Sequence, residues 1–416
     1  MSPSPDSPFS QQLRISGSRR VLIAMLRRLR HGTLTLSEGG RNRTFGETLK
    51  GSIVADLTVH EPMFWSRVLT RGSSGLGESY FRGEWDSTDI VALLELLTKN
   101  LDRINRLSRI VAPVAAVTKV PLRRFAPSKA RDRQNIAAHY DLGNEFFELF
   151  LDSTMAYSSA VFPSPSSSLE EASTEKFDRL CRKLSLGPTD HVVEIGTGWG
   201  GFALHAARTY GCRVTTTTIS AKQYEYATRR VAESGLGHLV TVLDRDYRDL
   251  EGTFTHLVSI EMIEAVDWRL YETFFHACAS LLDDNGRAAL QCIVIDDAEF
   301  ERYKTRTDFI RRHIFPGGGL PSITALTSAL SRASDLRLID LEDLGPHYVR
   351  TLMMWHERLA AKADDARRLG FDDELLRKWH FYFAYCAAGF TERHVSVVQI
   401  VLARDGWRGS LELRGA

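Results

Sequence analysis

The stretch "VVEIGTGWGGFALHAA", residues 192–207, constrains the fold more than any other part of the chain. A β-branched run leads into Gly196, Gly198, Gly200 and Gly201, and an apolar-periodic segment follows at once. That pattern predicts a buried strand, a tight turn and a helix folded back along the strand. Downstream the alternation continues, with strands in "CRVTTTTIS", "LVTVLDRDY", "THLVSIEM" and "RAALQCIVI" and helices in "AKQYEYATRRVAES" and "LYETFFHACASLL". It predicts an α/β fold whose parallel sheet is covered on both faces. Two more helical patterns, "HYVRTLMMWHERLAAKADDARR" and "DDELLRKWHFYFAYCAAGF", precede a last strand, "VSVVQIVLAR".

With 416 residues the chain exceeds one ordinary core, so a second, smaller domain is expected. Residues 1–15, which include the Ser/Pro-rich "MSPSPDSPFS", read as disordered. Residues 16–118 read as a small α+β domain: a helix near 19–30, strands at "GTLTLS" and "SIVADLTVH", and helices through "PMFWSRVLTR" and "DIVALLELLTKNL". A basic linker, 119–134, is kept from being one helix by its prolines, and 135–416 form the main domain. The 53 basic and 52 acidic residues nearly cancel, which argues against a nucleic-acid partner. Locally, residues 101–133 carry nine Lys or Arg against two Asp, a stretch suited to an anionic bilayer surface. Five scattered cysteines have no metal-ligand spacing and point to a reducing compartment. No apolar run is long enough to span a membrane, so a cytoplasmic protein with peripheral membrane contact is expected.

Glycines at a strand-to-helix turn let backbone approach a ligand, and the helix start offers unpaired N–H groups. Gly196, Gly198 and Gly201 satisfy the dinucleotide pattern G-x-G-x-x-G, which keeps a nicotinamide oxidoreductase in view. A dinucleotide site usually has an acid at the end of the second strand, whereas here that strand ends "TTTTIS". The acid is Glu194, inside the first strand, and E-x-G-x-G-x-G resembles the loop of class I S-adenosylmethionine methyltransferases.

Further blocks carry a more specific resemblance. "NIAAHYDLGNEFFELFLDSTMAYSSAVF", "DYRDLEGTFTHLVSIEMIEAV", "RYKTRTDFIRRHIFPGGGLPS", "GPHYVRTLMMWHERL" and "FYFAYCAAGFTERHVSVVQIVLAR" resemble successive blocks of the cyclopropane fatty acyl phospholipid synthase family. The resemblance implies a class I methyltransferase-like (Rossmann-like) sheet with a helical cap at about 298–333. It implies methyl transfer from S-adenosylmethionine to the cis double bond of an unsaturated phospholipid acyl chain. The product would be a cyclopropane or, in one branch, a 10-methylene chain that a separate reductase completes. Cofactor contacts are implied at Tyr157, Ser158, Glu194, Gly196, Gly198, Gly200, Thr218, Gln223, Tyr247 and Arg248. Substrate contacts are implied at His139 and Tyr140 of "HYDLGN" and at Phe315, Pro316 and Gly317 of the cap. A homodimer is a further expectation.

Such a reaction needs a dry site, faces that tolerate a carbocation, and a proton acceptor. Many family members hold a bicarbonate with Cys, Glu, His and Tyr. The matching positions here are Ser159, Glu264, Gln291 and Tyr348, and Glu261 stands where those members have glycine. A fixed anion there would repel bicarbonate. A glutamate is therefore expected to take the proton directly, Glu261 being the extra acid and Glu264 the family one, with Glu145 a weaker candidate. The alternatives are a Glu261 that turns away to pair with an arginine, and an inactive lipid-binding homologue.

Overall fold

The computed structural model describes residues 8–48, 51–101, 128–140 and 142–409, except the side chains of 8–10 and 135–140. The chain divides into two compact units. One comprises Met1–Arg123, Arg306–Ile314 and His356–Arg393; the other comprises Arg124–Thr305, Phe315–Trp355 and His394–Ala416. The expected N-terminal domain thus takes in two later segments, and the expected cap at 298–333 is divided. Phe309 shows why 306–314 belongs with the first unit. It is fully buried, meets Phe381 at 4.6 Å, and covers Gly77 so closely that a Cβ there would fall 2.3 Å from its ring.

In the first unit, β1 (Gly32–Glu38), β2 (Arg41–Glu47), β3 (Val54–Val59) and β4 (Trp85–Asp86) form a sheet in the order β2-β1-β3-β4. β2 was not legible because only Phe45 of its residues is buried, leaving no alternation to read. The turn before it, Gly39–Gly40, has both φ positive, as a tight hairpin requires. Residues 8–15, expected to be disordered, are helical within Pro8–Leu26. Proline at the first helical position loses nothing, since its missing N–H would have no partner there.

In the second unit, the strands are β5 (His191–Ile195), β6 (Arg213–Thr218), β7 (Val240–Asp244), β8 (Phe254–Ile260), β9 (Leu282–Ile295), β10 (Arg337–Asp343) and β11 (Val395–Ala403). Their order is β10-β11-β9-β8-β5-β6-β7. β5 to β9 are parallel, but β11 runs antiparallel to both β9 and β10, so the expected parallel sheet has a mixed edge. Helices precede β11 just as they would precede a parallel strand, so the alternation gives no sign that β11 reverses. Val193, Leu257 and Leu290 fill one face against Phe274 and Leu330; Val192, Val258 and Ala289 fill the other against Phe177 and Phe202. The chain winds outward from β5 to β7 and then crosses back to β8, creating the switch point where α/β sheets bind ligands beyond the strand ends. Among the described residues no helix is long and apolar enough to cross a membrane. Of the basic stretch, Arg103, Arg106, Arg109, Lys119, Arg123 and Arg124 lie outside the described residues.

Gly201, which opens the helix Gly201–Tyr210, is required for close packing. A Cβ there would lie 2.7 Å from the Thr154 carbonyl oxygen and 3.1 Å from the Phe177 ring. Gly201→Val should lower unfolding free energy in urea by about 1–3 kcal/mol through overpacking.

Candidate active site at the carboxyl edge of the sheet

The glycine loop leaves β5 with three positive φ angles, 103° at Gly196, 53° at Gly198 and 84° at Gly200. The N–H groups of Gly196 and Thr197 both donate to the Thr217 carbonyl on β6, at 3.0 Å each, which fixes the turn against the sheet. Glu194 is buried beneath it, accepting from the Thr216 hydroxyl at 2.6 Å, and Thr216 shares a 2.7 Å hydrogen bond with Thr197. Burial lifts the Glu194 carboxyl to about 8. Thr216 holds the Glu194 side chain within the sheet beneath the glycine turn. At the end of β6, Thr218 donates to Gln223 at 2.9 Å and accepts from the Ser220 N–H. Tyr247 packs edge-on against Phe274, and its buried hydroxyl has no partner among the described residues. Arg248 is bound to Asp246 and Asp132, so its guanidinium anchors this edge.

Beside the loop stands an aromatic wall. Tyr157 stacks on Phe315 (6.2 Å, 24°) and meets Trp355 at 5.3 Å, Phe147 at 5.3 Å and Phe150 at 6.1 Å. Phe147 also meets Trp199, whose indole N–H donates to Asn144 at 2.8 Å. Ser158 turns the other way, and its hydroxyl accepts from the Lys176 ammonium at 2.5 Å. The positive-φ cradle, the orphaned Tyr247 hydroxyl and the aromatic faces fit a sulfonium nucleoside: backbone for its polar groups, π faces for its charge.

The acids meet at the end of β8. Glu261 has φ +49°, a left-handed backbone that costs a non-glycine residue about 1–3 kcal/mol. Its Oε1 accepts from the Ser159 N–H at 2.8 Å and from Gln291 Nε2 at 2.8 Å, and its Oε2 accepts from the Tyr348 hydroxyl at 2.8 Å. None of these partners is an arginine, which removes that alternative. Burial raises the Glu261 carboxyl above its ordinary value, against Gln291, Lys176, Tyr348 and Ser159, which lower it. Ser159 acts through its backbone; its hydroxyl donates to the Ala160 carbonyl instead. Glu145 is exposed on the short helix Asn144–Glu148 and makes no contact with this cluster.

Glu264 follows in a single helical turn, Ile263–Ala265. Its Oε1 accepts from the Ile293 N–H, while Oε2 is buried with no partner among the described residues. Burial lifts the carboxyl to about 8, and the Glu261 charge adds to the rise. The Glu264 carbonyl accepts from the Gly319 N–H at 2.8 Å, pinning the "IFPGGGLPS" segment, with Pro316 and the positive-φ Gly317, to the acid-bearing turn. His139 and Tyr140 close the helix Lys129–Tyr140, and their side chains lie outside the described ones.

Three groups of site residues escaped the sequence reading. Gln399 lies opposite Gln291 across β11 and β9 and donates to its Oε1 at 3.1 Å, turning the Gln291 amide N–H groups toward Glu261. Lys176 is buried inside the apolar stripe of the helix Leu169–Leu184, and a lysine between Ala172 and Leu180 at helical spacing was the readable signal. Phe147, Phe150 and Trp355 read as ordinary core.

The family model described as "Mycolic acid cyclopropane synthetase" matches residues 127–400. The chain belongs to this family. A tuberculostearic acid methyltransferase of Mycobacterium tuberculosis is 38% identical over 360 residues, covering 84% of this chain and 83% of that protein. A cyclopropane-fatty-acyl-phospholipid synthase of Escherichia coli K12 is 33% identical over 362 residues, covering 86% and 90%. Among solved structures, a mycolic acid cyclopropane synthase in complex with SAH and CTAB has a TM-score of 0.61 at 29% identity, covering 65% of this chain and 98% of that one. A class I methyltransferase fold, S-adenosylmethionine as methyl donor, and methylation or cyclopropanation of lipid acyl chains follow from membership in the family. Hydride transfer is thereby set aside.

Glu194 gives a pH signature. With its folded value near 8, well above an unfolded carboxyl, the native chain holds a proton that the unfolded chain has released between about pH 4.5 and about pH 8. The stability this contributes is complete below that window and lost as pH rises through it. Glu194→Gln should therefore gain on the wild type with rising pH, by up to about 1.4 kcal/mol per pH unit, in paired urea titrations at about pH 5 and about pH 8.

Proposed function

We propose that this protein methylates the cis double bond of a monounsaturated phospholipid acyl chain, and that Glu261 then takes the proton to leave a methylene-bearing chain. The observation that carries this reading is the Glu261 carboxylate, which accepts three hydrogen bonds where relatives are expected to hold an anion.

Bound S-adenosylmethionine supplies an electrophilic methyl group. The chain's own part is to hold the alkene in line and to exclude water. Tyr157, Phe147, Phe150, Trp355 and Phe315 offer π faces to the cation that forms on the acyl chain. Bicarbonate does not fit. The Ser159 N–H, Gln291 Nε2 and the Tyr348 hydroxyl are already given to Glu261, and a second anion beside that carboxylate would be repelled. A carboxylate raised by burial is a stronger base than one in water, and its neutral form suits the buried site once the proton is taken.

Both outcomes end with a proton taken from the new methyl group: ring closure takes it while the cation is on the adjacent carbon, and the methylene takes it after a 1,2-hydride shift has carried the cation to the methyl-bearing carbon. One point favours the methylene. The relative at 38% identity is named for tuberculostearic acid, and a methyl-branched end product is what a methylene followed by reduction yields. A reductase acting on the same lipid would then be the partner enzyme. Access to the lipid would come from peripheral contact with an anionic bilayer. Lys129 and Arg133 already face Asp249 and Asp244, so the attraction falls mainly on Arg103 to Arg124, each worth about 1 kcal/mol near a charged surface.

The test is incubation with monounsaturated phospholipid vesicles and S-adenosylmethionine. Ring and methylene products are isomers, so proton NMR decides between them, with exomethylene signals expected. Glu261→Gln should lower kcat by about 10²–10⁴-fold, and removing bicarbonate should change nothing. Full activity in Glu261→Gln with bicarbonate still required would overturn the proposal. Vesicle binding should fall steeply with salt.

A further inference from the structure

The helix Leu169–Leu184 opens with a capping box, in which Ser168 and Glu171 satisfy each other's backbone N–H groups. It buries Leu169, Ala172, Phe177, Leu180, Cys181 and Leu184. Lys176 sits among them with 0% exposure. Its ammonium donates to Ser158 Oγ at 2.5 Å and lies 4.6 Å from the Phe177 ring centroid. No carboxylate among the described residues is within ion-pair distance of it. A buried ammonium with one neutral acceptor costs several kcal/mol, and an apolar side chain would have packed without that cost.

The Lys176 acceptor, Ser158, adjoins Ser159, whose N–H donates to Glu261 at 2.8 Å, so the ammonium is held one residue along the chain from a donor to that acid. The charges of Glu261, Asp152 and Glu194 all act on it. Asp152 is occupied by the Ser173 hydroxyl and the Thr154 N–H, and Glu194 by Thr216. Glu261 is the one of the three that faces the aromatic wall's Ser159 segment and the Tyr348 helix together. We infer that Lys176 is a positioning residue whose buried positive charge holds Glu261 in its proton-accepting form. The inference rests on Glu261 as the proton acceptor.

The groups around Glu261 are consistent with this role. Tyr348 comes from the helix Gly345–Ala361, Gln291 and Cys292 from β9, Glu264 from the turn after β8, and Lys176 from its own helix. Of these only Lys176 brings a positive charge. Tyr348 and Gln291 orient the carboxylate as neutral donors, and Glu264 and Cys292 are lifted by burial toward their protonated forms. Burial brings Lys176 itself down to about 8, so its charge is present at neutral pH and lost above that value.

The experiment is the pH dependence of kcat on lipid vesicles. Lys176→Gln can still hydrogen-bond Ser158 but has no charge, and Lys176→Met fills the same buried volume with neither. In both, the acid limb should move about one pH unit upward. On the acid limb, well below its midpoint, kcat should then fall about tenfold at a given pH, with recovery above the limb and an unchanged KM for lipid. Ser158→Ala, which keeps the charge and removes the hydrogen bond, should leave the acid limb in place. A wild-type acid limb in both Lys176 variants overturns the inference, as does a matching shift in Ser158→Ala. Glu261→Gln separates the two levels. If it stays active, the assignment of the base has failed. If it is inactive while the Lys176 variants keep the wild-type limb, only the role of Lys176 has failed.

Discussion

One carboxylate gathers donors from three remote parts of the chain. Glu261 draws on Ser159 from a loop, Gln291 from β9 and Tyr348 from a helix 87 residues downstream. No local preference produces that convergence; the sheet does. β8 delivers Glu261 to the switch point, β9 sets Gln291 beside it, and β11 sets Gln399 behind Gln291. Each of those strands is fixed by apolar contacts on both faces, so the hydrophobic core determines where the acid stands. The left-handed backbone at Glu261 is strain that this packing can carry, and strain of that kind gathers where geometry matters for chemistry.

Burial and partnership oppose each other throughout the site. Glu194, Glu261 and Glu264 are all raised by desolvation, but they differ in what answers it. Glu261 has three donors and a nearby cation. Glu264 has one backbone N–H and an anion for a neighbour. Two glutamates three residues apart therefore meet different surroundings, and the proposed proton acceptor is the one with donors and a cation about it.

Much of this architecture could be read in the sequence, and the reasons it could or could not are specific. The β5 glycine turn was legible because only glycine takes those φ angles cheaply and because the flanking strand and helix have unmistakable periods. Glu261, Glu264, Gln291 and Tyr348 were legible through a resemblance that placed them at one site, and the structure brings all four together. Ser159 joins that cluster through its backbone N–H, which a sequence reading of side chains does not name. Gln399 and Lys176 were missed because a polar residue in an apolar run gives no sign of its partner; Gln399 lies 108 residues from Gln291 in sequence yet beside it in the sheet. β2 was missed for the opposite reason: its exposed charges carry no pattern at all.

The positive φ at Glu261 bears on how such a site arises. The resemblance implies glycine there in bicarbonate-holding relatives, and glycine rests in that conformation without strain. A glutamate there takes up a backbone that glycine adopts at no cost. Exchanging a borrowed anion for a built-in one then asks for a side chain and not for a new fold. Glycine and glutamate codons can differ at a single base, so that exchange lies one point mutation away.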